Sequence, residues 1–139
     1  MSTKPATILV MSPADPSLAS ITRQLERLGV SPQIASTVRE ACALFRPGRP
    51  DNVISGVTLP DGNWCDLLAR TVQLDLEARF LVCCATADER LWSEVIWRGG
   101  HDVLAEPYDP VHLRRALGLR QGAEATDCAL RAASFQACA

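Results

Sequence analysis

Five times along this chain a short strand-like run is followed by a stretch whose apolar residues recur at helical spacing, and this alternation constrains the fold more than any other feature. The runs are Ile8-Leu9-Val10-Met11, Gln33-Ile34-Ala35, Val53-Ile54, Phe80-Leu81-Val82-Cys83-Cys84 and Asp102-Val103-Leu104-Ala105. A continuous apolar run suits a strand buried on both faces, and a helix between consecutive strands is the connection that parallel pairing requires. The pattern predicts an α/β domain with a doubly wound, five-stranded parallel sheet, five helices and the strand order 2-1-3-4-5.

The helix punctuation agrees. Asp15-Pro16 reads as an N-cap and a first-turn proline, and Gly29 stops a helix whose inner stripe is Leu18, Ile21, Leu25 and Leu28. Thr37-Val38-Arg39-Glu40 has the spacing of a capping box. It opens a second helix with Ala41, Leu44 and Phe45 inward and Pro47-Gly48 at its end. A third helix is expected over residues 65–76, with Leu68 and Val72 facing in. Thr86-Ala87-Asp88-Glu89 caps a fourth, with Leu91, Val95 and Ile96 inward and Gly99-Gly100 at its end. Asp109-Pro110 opens a fifth, carrying Leu113 and Leu117. Residues 1–121 form one domain on this reading. The alanine-rich remainder, 122–139, lies outside the plan as a tail, a linker or a marginal helix with Cys128, Ala132 and Phe135 at helical spacing.

Composition narrows the function classes. A chain of 139 residues, 47% apolar, fits one compact domain. Its net charge of -2 gives no electrostatic reason to bind nucleic acid or an anionic membrane. No apolar run approaches the roughly 20 residues that span a bilayer, and the N-terminal residues lack the apolar core of a secretion signal, so a cytoplasmic location is expected. Cys42, Cys65, Cys83, Cys84, Cys128 and Cys138 are then reduced thiols acting as small hydrophobes. There is no Cys-x-x-Cys pair, and His101 and His112 stand apart, so neither a metal nor a cofactor is expected.

In such a sheet, ligands bind beyond the carboxyl ends of the central strands, here the residues after Met11, Ile54, Val82 and Leu104. The stretch Pro50-Asp51-Asn52-Val53-Ile54-Ser55-Gly56-Val57-Thr58-Leu59-Pro60-Asp61-Gly62 resembles the third strand and loop of response-regulator receiver domains, a CheY-like, flavodoxin-like family of bacterial two-component signal transduction and phosphorelay. Gly99-Gly100-His101-Asp102-Val103-Leu104 and Glu106-Pro107-Tyr108-Asp109-Pro110 extend the resemblance over roughly residues 6 to 119. It implies an aspartate nucleophile at the end of the third strand, four residues before a proline. It also implies two acids after the first strand to hold Mg²⁺, and a hydroxyl and a lysine to steady the phosphoryl oxygens.

This sequence departs from the family at each of those positions. The nucleophile position holds Gly56, with Ser55 and Val57 on either side, so a shift of one residue restores no aspartate. The acidic pair matches Ser12 and Pro13, the hydroxyl matches Cys84, and the lysine matches Glu106, a reversal of sign. The first loop carries an extra residue that brings Asp15 toward the pocket, although an N-cap is its simpler role; Asp61 reads as an ordinary turn acid. The aromatic residue that the family rotates inward from the fifth strand matches the stiff, β-branched Val103. The resemblance also implies a cis bond between Glu106 and Pro107. The expectation is a degenerate pseudo-receiver, not an enzyme, that signals through protein contacts without phosphorylation.

Three tryptophans supply candidate surfaces. Trp64 stands where it would cover the emptied crevice, or else fill a local gap. Trp92 and Trp97 lie on the fourth helix, and the resemblance makes the face formed by that helix, the fifth strand and the fifth helix the usual docking surface. Arg114 and Arg115, with Arg90 and Arg98, would form its polar rim. The partners expected there are a kinase, a response regulator, the chain's own output module or a second copy of the chain. The alternative is a small-molecule or redox sensor that uses the crevice. A flavodoxin-like redox enzyme is disfavoured because Ser12-Pro13-Ala14 offers no nest of free amides for phosphate.

Overall fold

A computed structural model describes residues 6–46, 50–86 and 88–119. Strands and helices alternate as β1 (Thr7–Val10), α1 (Ser17–Arg27), β2 (Gln33–Ala35), α2 (Val38–Leu44), β3 (Asn52–Gly56), α3 (Trp64–Gln73), β4 (Arg79–Cys84), α4 (Glu89–Trp97), β5 (Asp102–Ala105) and α5 (Pro110–Ala116). The five strands form one sheet in the order β2-β1-β3-β4-β5, and every pairing in it is parallel. This is the doubly wound topology that the sequence predicts. Between β3 and α3 lies a feature it does not predict, an antiparallel hairpin of Thr58–Leu59 with Gly62–Asn63.

The pleat sends alternate residues of each strand to opposite faces, and each face has its own core. Ile8, Val10, Val53, Phe80, Val82 and Val103 meet α2, α3 and α4 on one side. Leu9, Met11, Ile54, Leu81, Cys83 and Leu104 meet α1 and α5 on the other. All residues of β1 and β3 are buried, which is why those segments read as continuous apolar runs.

The helix ends follow their caps. Asp15 Oδ1 accepts the Ser17 N–H at 2.9 Å, and Gly29 takes φ +78° where α1 stops. Thr37 Oγ1 accepts the Glu40 N–H at 3.0 Å, but the returning Glu40 carboxylate takes the N–H of Ser36, not that of Thr37. Asp88 alone caps α4, accepting from Arg90 and Leu91, and Asp109 caps α5 ahead of Pro110. The expected stop at Pro47-Gly48 and the tail 122–139 lie outside the described residues.

Two inward assignments are corrected. Val72 is 65% exposed, because the buried stripe of α3 is Trp64, Leu67, Leu68 and Thr71, and Val72 stands roughly a quarter-turn from its centre. On α4 only Val95 is fully buried, with Leu91 beside it, and Ile96 turns about 100° onward to become exposed. Among the described residues no helix is long and apolar enough to cross a membrane.

Candidate functional site

Gly56 is the last residue of β3 and pairs in register with Cys83 of β4. A Cβ placed on it would stand 3.2 Å from Asp15 Oδ2 and 3.3 Å from Met11 Cγ. Asp15 therefore fills both of the roles the sequence leaves open. One carboxylate oxygen caps α1, and the other occupies the space into which a side chain at position 56 would grow. The extra residue in the first loop is the signal for this placement.

Around Asp15 a crevice of about 500 Å³ opens beyond β1, β3 and β4, with Ser12, Ser17, Thr58, Pro60 and Cys84 among its lining. Ser12 Oγ accepts the Ala14 N–H at 3.2 Å, while Pro13 is exposed and not among the lining residues. The Cys84 thiol donates to the Thr86 carbonyl at 3.0 Å. Glu106 follows β5, and its N–H donates to the Cys84 carbonyl at 3.2 Å. The Glu106-Pro107 bond is cis. Ser12, Gly56, Cys84 and Glu106 are thus brought to the carboxyl ends of neighbouring strands, and Pro13 is not brought with them.

The electrostatics are those of a negative, thiol-floored pocket. Burial pushes the Cys83 thiol well above its ordinary pKa, and the Asp15 and Glu106 carboxylates push it further. Cys42, Cys65 and Cys84 are also raised, burial being the leading cause at each. Among the described residues no group of three His, Cys, Asp or Glu side chains is arranged to hold a metal ion.

Tyr108 is a residue that sequence reasoning missed. It is 7% exposed, and its buried hydroxyl has the Ser17 hydroxyl and the Cys83 thiol as polar neighbours among the described residues, neither in good hydrogen-bond geometry. Ser17 and Cys83, both on the crevice wall, lie close enough to influence it, and burial raises its pKa. Its being the single tyrosine of the chain, directly after Glu106-Pro107, is the available signal. Asp61 was missed in another sense, since it does more than form a turn. Its carboxylate accepts the N–H groups of Val38 at 2.8 Å and Arg39 at 3.1 Å, which ties the hairpin to the start of α2 and lowers its own pKa.

Trp64 does not cover the crevice. It is 4% exposed and packs in the core with residues such as Val10, Val53 and Leu59. A reciprocal capping box between Asn63 and Asp66 makes Trp64 the first residue of α3, with its side chain on the buried stripe. The other two tryptophans point outward: Trp97 is 85% exposed and Trp92 38%, with Ile96 between them in sequence and exposed as well. Val111 of α5 is likewise exposed. Arg114 and Arg115 are half-buried, and the Arg115 Nε is buried without a hydrogen-bond partner among the described residues. Arg90 is exposed, and Arg98 pairs with Glu94 on its own helix at 3.1 Å.

A parallel α/β sheet in the order 2-1-3-4-5, with a crevice at the carboxyl ends of its central strands, defines the class: a doubly wound, CheY-like domain. No family model matches the chain. It is 29% identical over 83 residues to the chemotaxis protein CheY of Thermotoga maritima, covering 60% of this chain and 69% of that one. Its structure is similar to the non-phosphorylated HemR receiver domain of Leptospira biflexa, with a TM-score of 0.66 and 30% identity, covering 85% of this chain and 98% of that domain. It is also similar to the signal receiver domain of an HD domain-containing protein from Pseudomonas fluorescens, with a TM-score of 0.68 and 26% identity over 84% of this chain and 93% of the other. The chain belongs to the response-regulator receiver family, whose members serve two-component signalling.

Proposed function

We propose that this chain is a pseudo-receiver, a cytoplasmic signalling module that takes up no phosphoryl group, catalyses nothing and acts through contacts with another protein. The observation that carries this reading is the placement of Asp15 against Gly56. The third strand ends without a nucleophile, and Asp15 Oδ2 stands 3.2 Å from where its Cβ would be. A phosphoryl group there would meet the Asp15 carboxylate, with Glu106 in place of the family's lysine, and like charges repel. Mg²⁺ wants several hard oxygen ligands in octahedral array, and Asp15 is the one carboxylate on the crevice lining, so the donor set does not fit the metal.

Output then falls to surface. The exposed Trp97, Trp92 and Ile96 of α4 support docking through α4, β5 and α5, since tryptophan buries much area at low conformational cost. The partner is a kinase, a response regulator or an output module of the same chain, and a second copy could use the same face; nucleic acid and membrane are not partners. A test is binding to the histidine kinases and response regulators of the same organism, measured with and without a phosphodonor. Equal binding in both conditions, lost in Trp97→Ala, is the expected result. Binding that appears only with the phosphodonor contradicts the proposal.

The crevice favours a second reading, a small-molecule sensor, because about 500 Å³ opens beside the Asp15 carboxylate. A redox role is disfavoured, since burial raises every described thiol and thiolate is the reactive form.

A further inference from the structure

We infer that the crevice binds a small organic ammonium ion, held by Asp15. This rests on the reading that the same crevice does not take phosphate, and it names the chemical class that the crevice takes instead. Its volume of about 500 Å³ suits a small ligand. Asp15 Oδ1 is occupied by the Ser17 N–H, whereas Oδ2 has no donor among the described residues. A side chain at position 56 would crowd that oxygen, and glycine leaves it room.

The surroundings select the sign of charge. Among the described residues no Lys, Arg or His lines the crevice, and Asp15 is its one charged side chain. Ser12, Ser17 and Thr58 supply hydroxyl acceptors around the carboxylate. Val57, Leu59, Pro60 and Ala85 line the remaining wall. An alkyl chain gains contact there, and a hydrated metal ion gains none. An alkylammonium ion satisfies both halves of the lining.

The test is a titration of the full chain with ethylammonium chloride and with 1,4-diaminobutane, followed by backbone amide NMR. Sodium acetate, inorganic phosphate and magnesium chloride serve as comparisons. Saturable shifts at Asp15, Ser17, Gly56 and Thr58 are expected with the amines and not with acetate or phosphate. Asp15→Asn keeps the cap, because asparagine also caps helices, and should weaken amine binding about tenfold, the loss of one charge-assisted hydrogen bond. Trp97→Ala, remote from the crevice on α4, should leave amine binding unchanged. Absence of saturable shifts, an unaltered affinity in Asp15→Asn, or magnesium chloride reproducing the same shifts would each overturn the inference. Uptake of a phosphoryl group is read separately, by mass, and would remove the underlying reading instead.

Discussion

Any side chain at position 56 has to share space with Asp15 Oδ2 and Met11 Cγ, 3.2 and 3.3 Å from where its Cβ would sit. Reinstating an aspartate there adds volume to a filled site and a second carboxylate beside a fixed one. Gly56→Asp is therefore expected to lower stability by about 1–3 kcal/mol, as overpacked sites do. Asp15→Ala in the same chain should recover part of that loss. A chemical-denaturation double-mutant cycle measures the coupling, and strictly additive effects would mean the two positions do not compete. Trp64 gives the complementary case. As a core residue it should cost about 3–5 kcal/mol when cut to alanine, whereas a lid over the crevice would cost little. The difference between the two tryptophan roles could not be read from residue type. It depends on where α3 begins, and that is set by the Asn63 and Asp66 capping box.

The elements were legible wherever burial was two-sided or a cap was unambiguous. β1, β3 and β4 read as apolar runs because both of their faces are covered, and Asp109-Pro110 marks α5 because a cap and a fixed proline φ coincide. Legibility failed where one residue had two good roles. Asp15 satisfies a helix end and faces Gly56 at once, and Val72 and Ile96 are apolar residues beyond the edge of a narrow buried stripe. Tyr108 was passed over because the family's aromatic position lies in the fifth strand, where this chain has Val103.

At this scale β5 and α5 are joined by His112 Nε2 and Asp102 Oδ2, 2.5 Å apart, and that bond raises the His112 pKa. Its contribution to stability is full below the ordinary histidine value and is lost as pH rises through the higher folded one. His101 behaves oppositely. Its Nδ1 accepts the Phe80 N–H at 3.1 Å, burial lowers its pKa, and its contribution is lost as pH falls. A difference measurement isolates the first effect. The gap in melting temperature between wild type and His112→Asn should be wider at about pH 5.5 than at about pH 8.5, on either side of the ordinary histidine value. An equal gap at both would show that the bond does not depend on protonation.

For the molecule as a whole, the family scaffold is retained, and the proposal is that Ser12, Pro13, Gly56, Cys84 and Glu106 no longer support phosphate chemistry on it. The two cores and the 2-1-3-4-5 order keep the carboxyl ends of β1, β3, β4 and β5 together. What distinguishes the chain lies at those ends and on α4. Since Trp97 is 85% exposed, Trp97→Ala should change stability by no more than about 0.5 kcal/mol while removing partner binding, which separates docking from folding. Equal loss of both would assign the residue to packing. The most direct measurement is the intact mass of the purified chain after incubation with acetyl phosphate and Mg²⁺. An unchanged mass is expected, and a stable species about 80 Da heavier, one phosphoryl group, would contradict the proposal that this receiver works without phosphate.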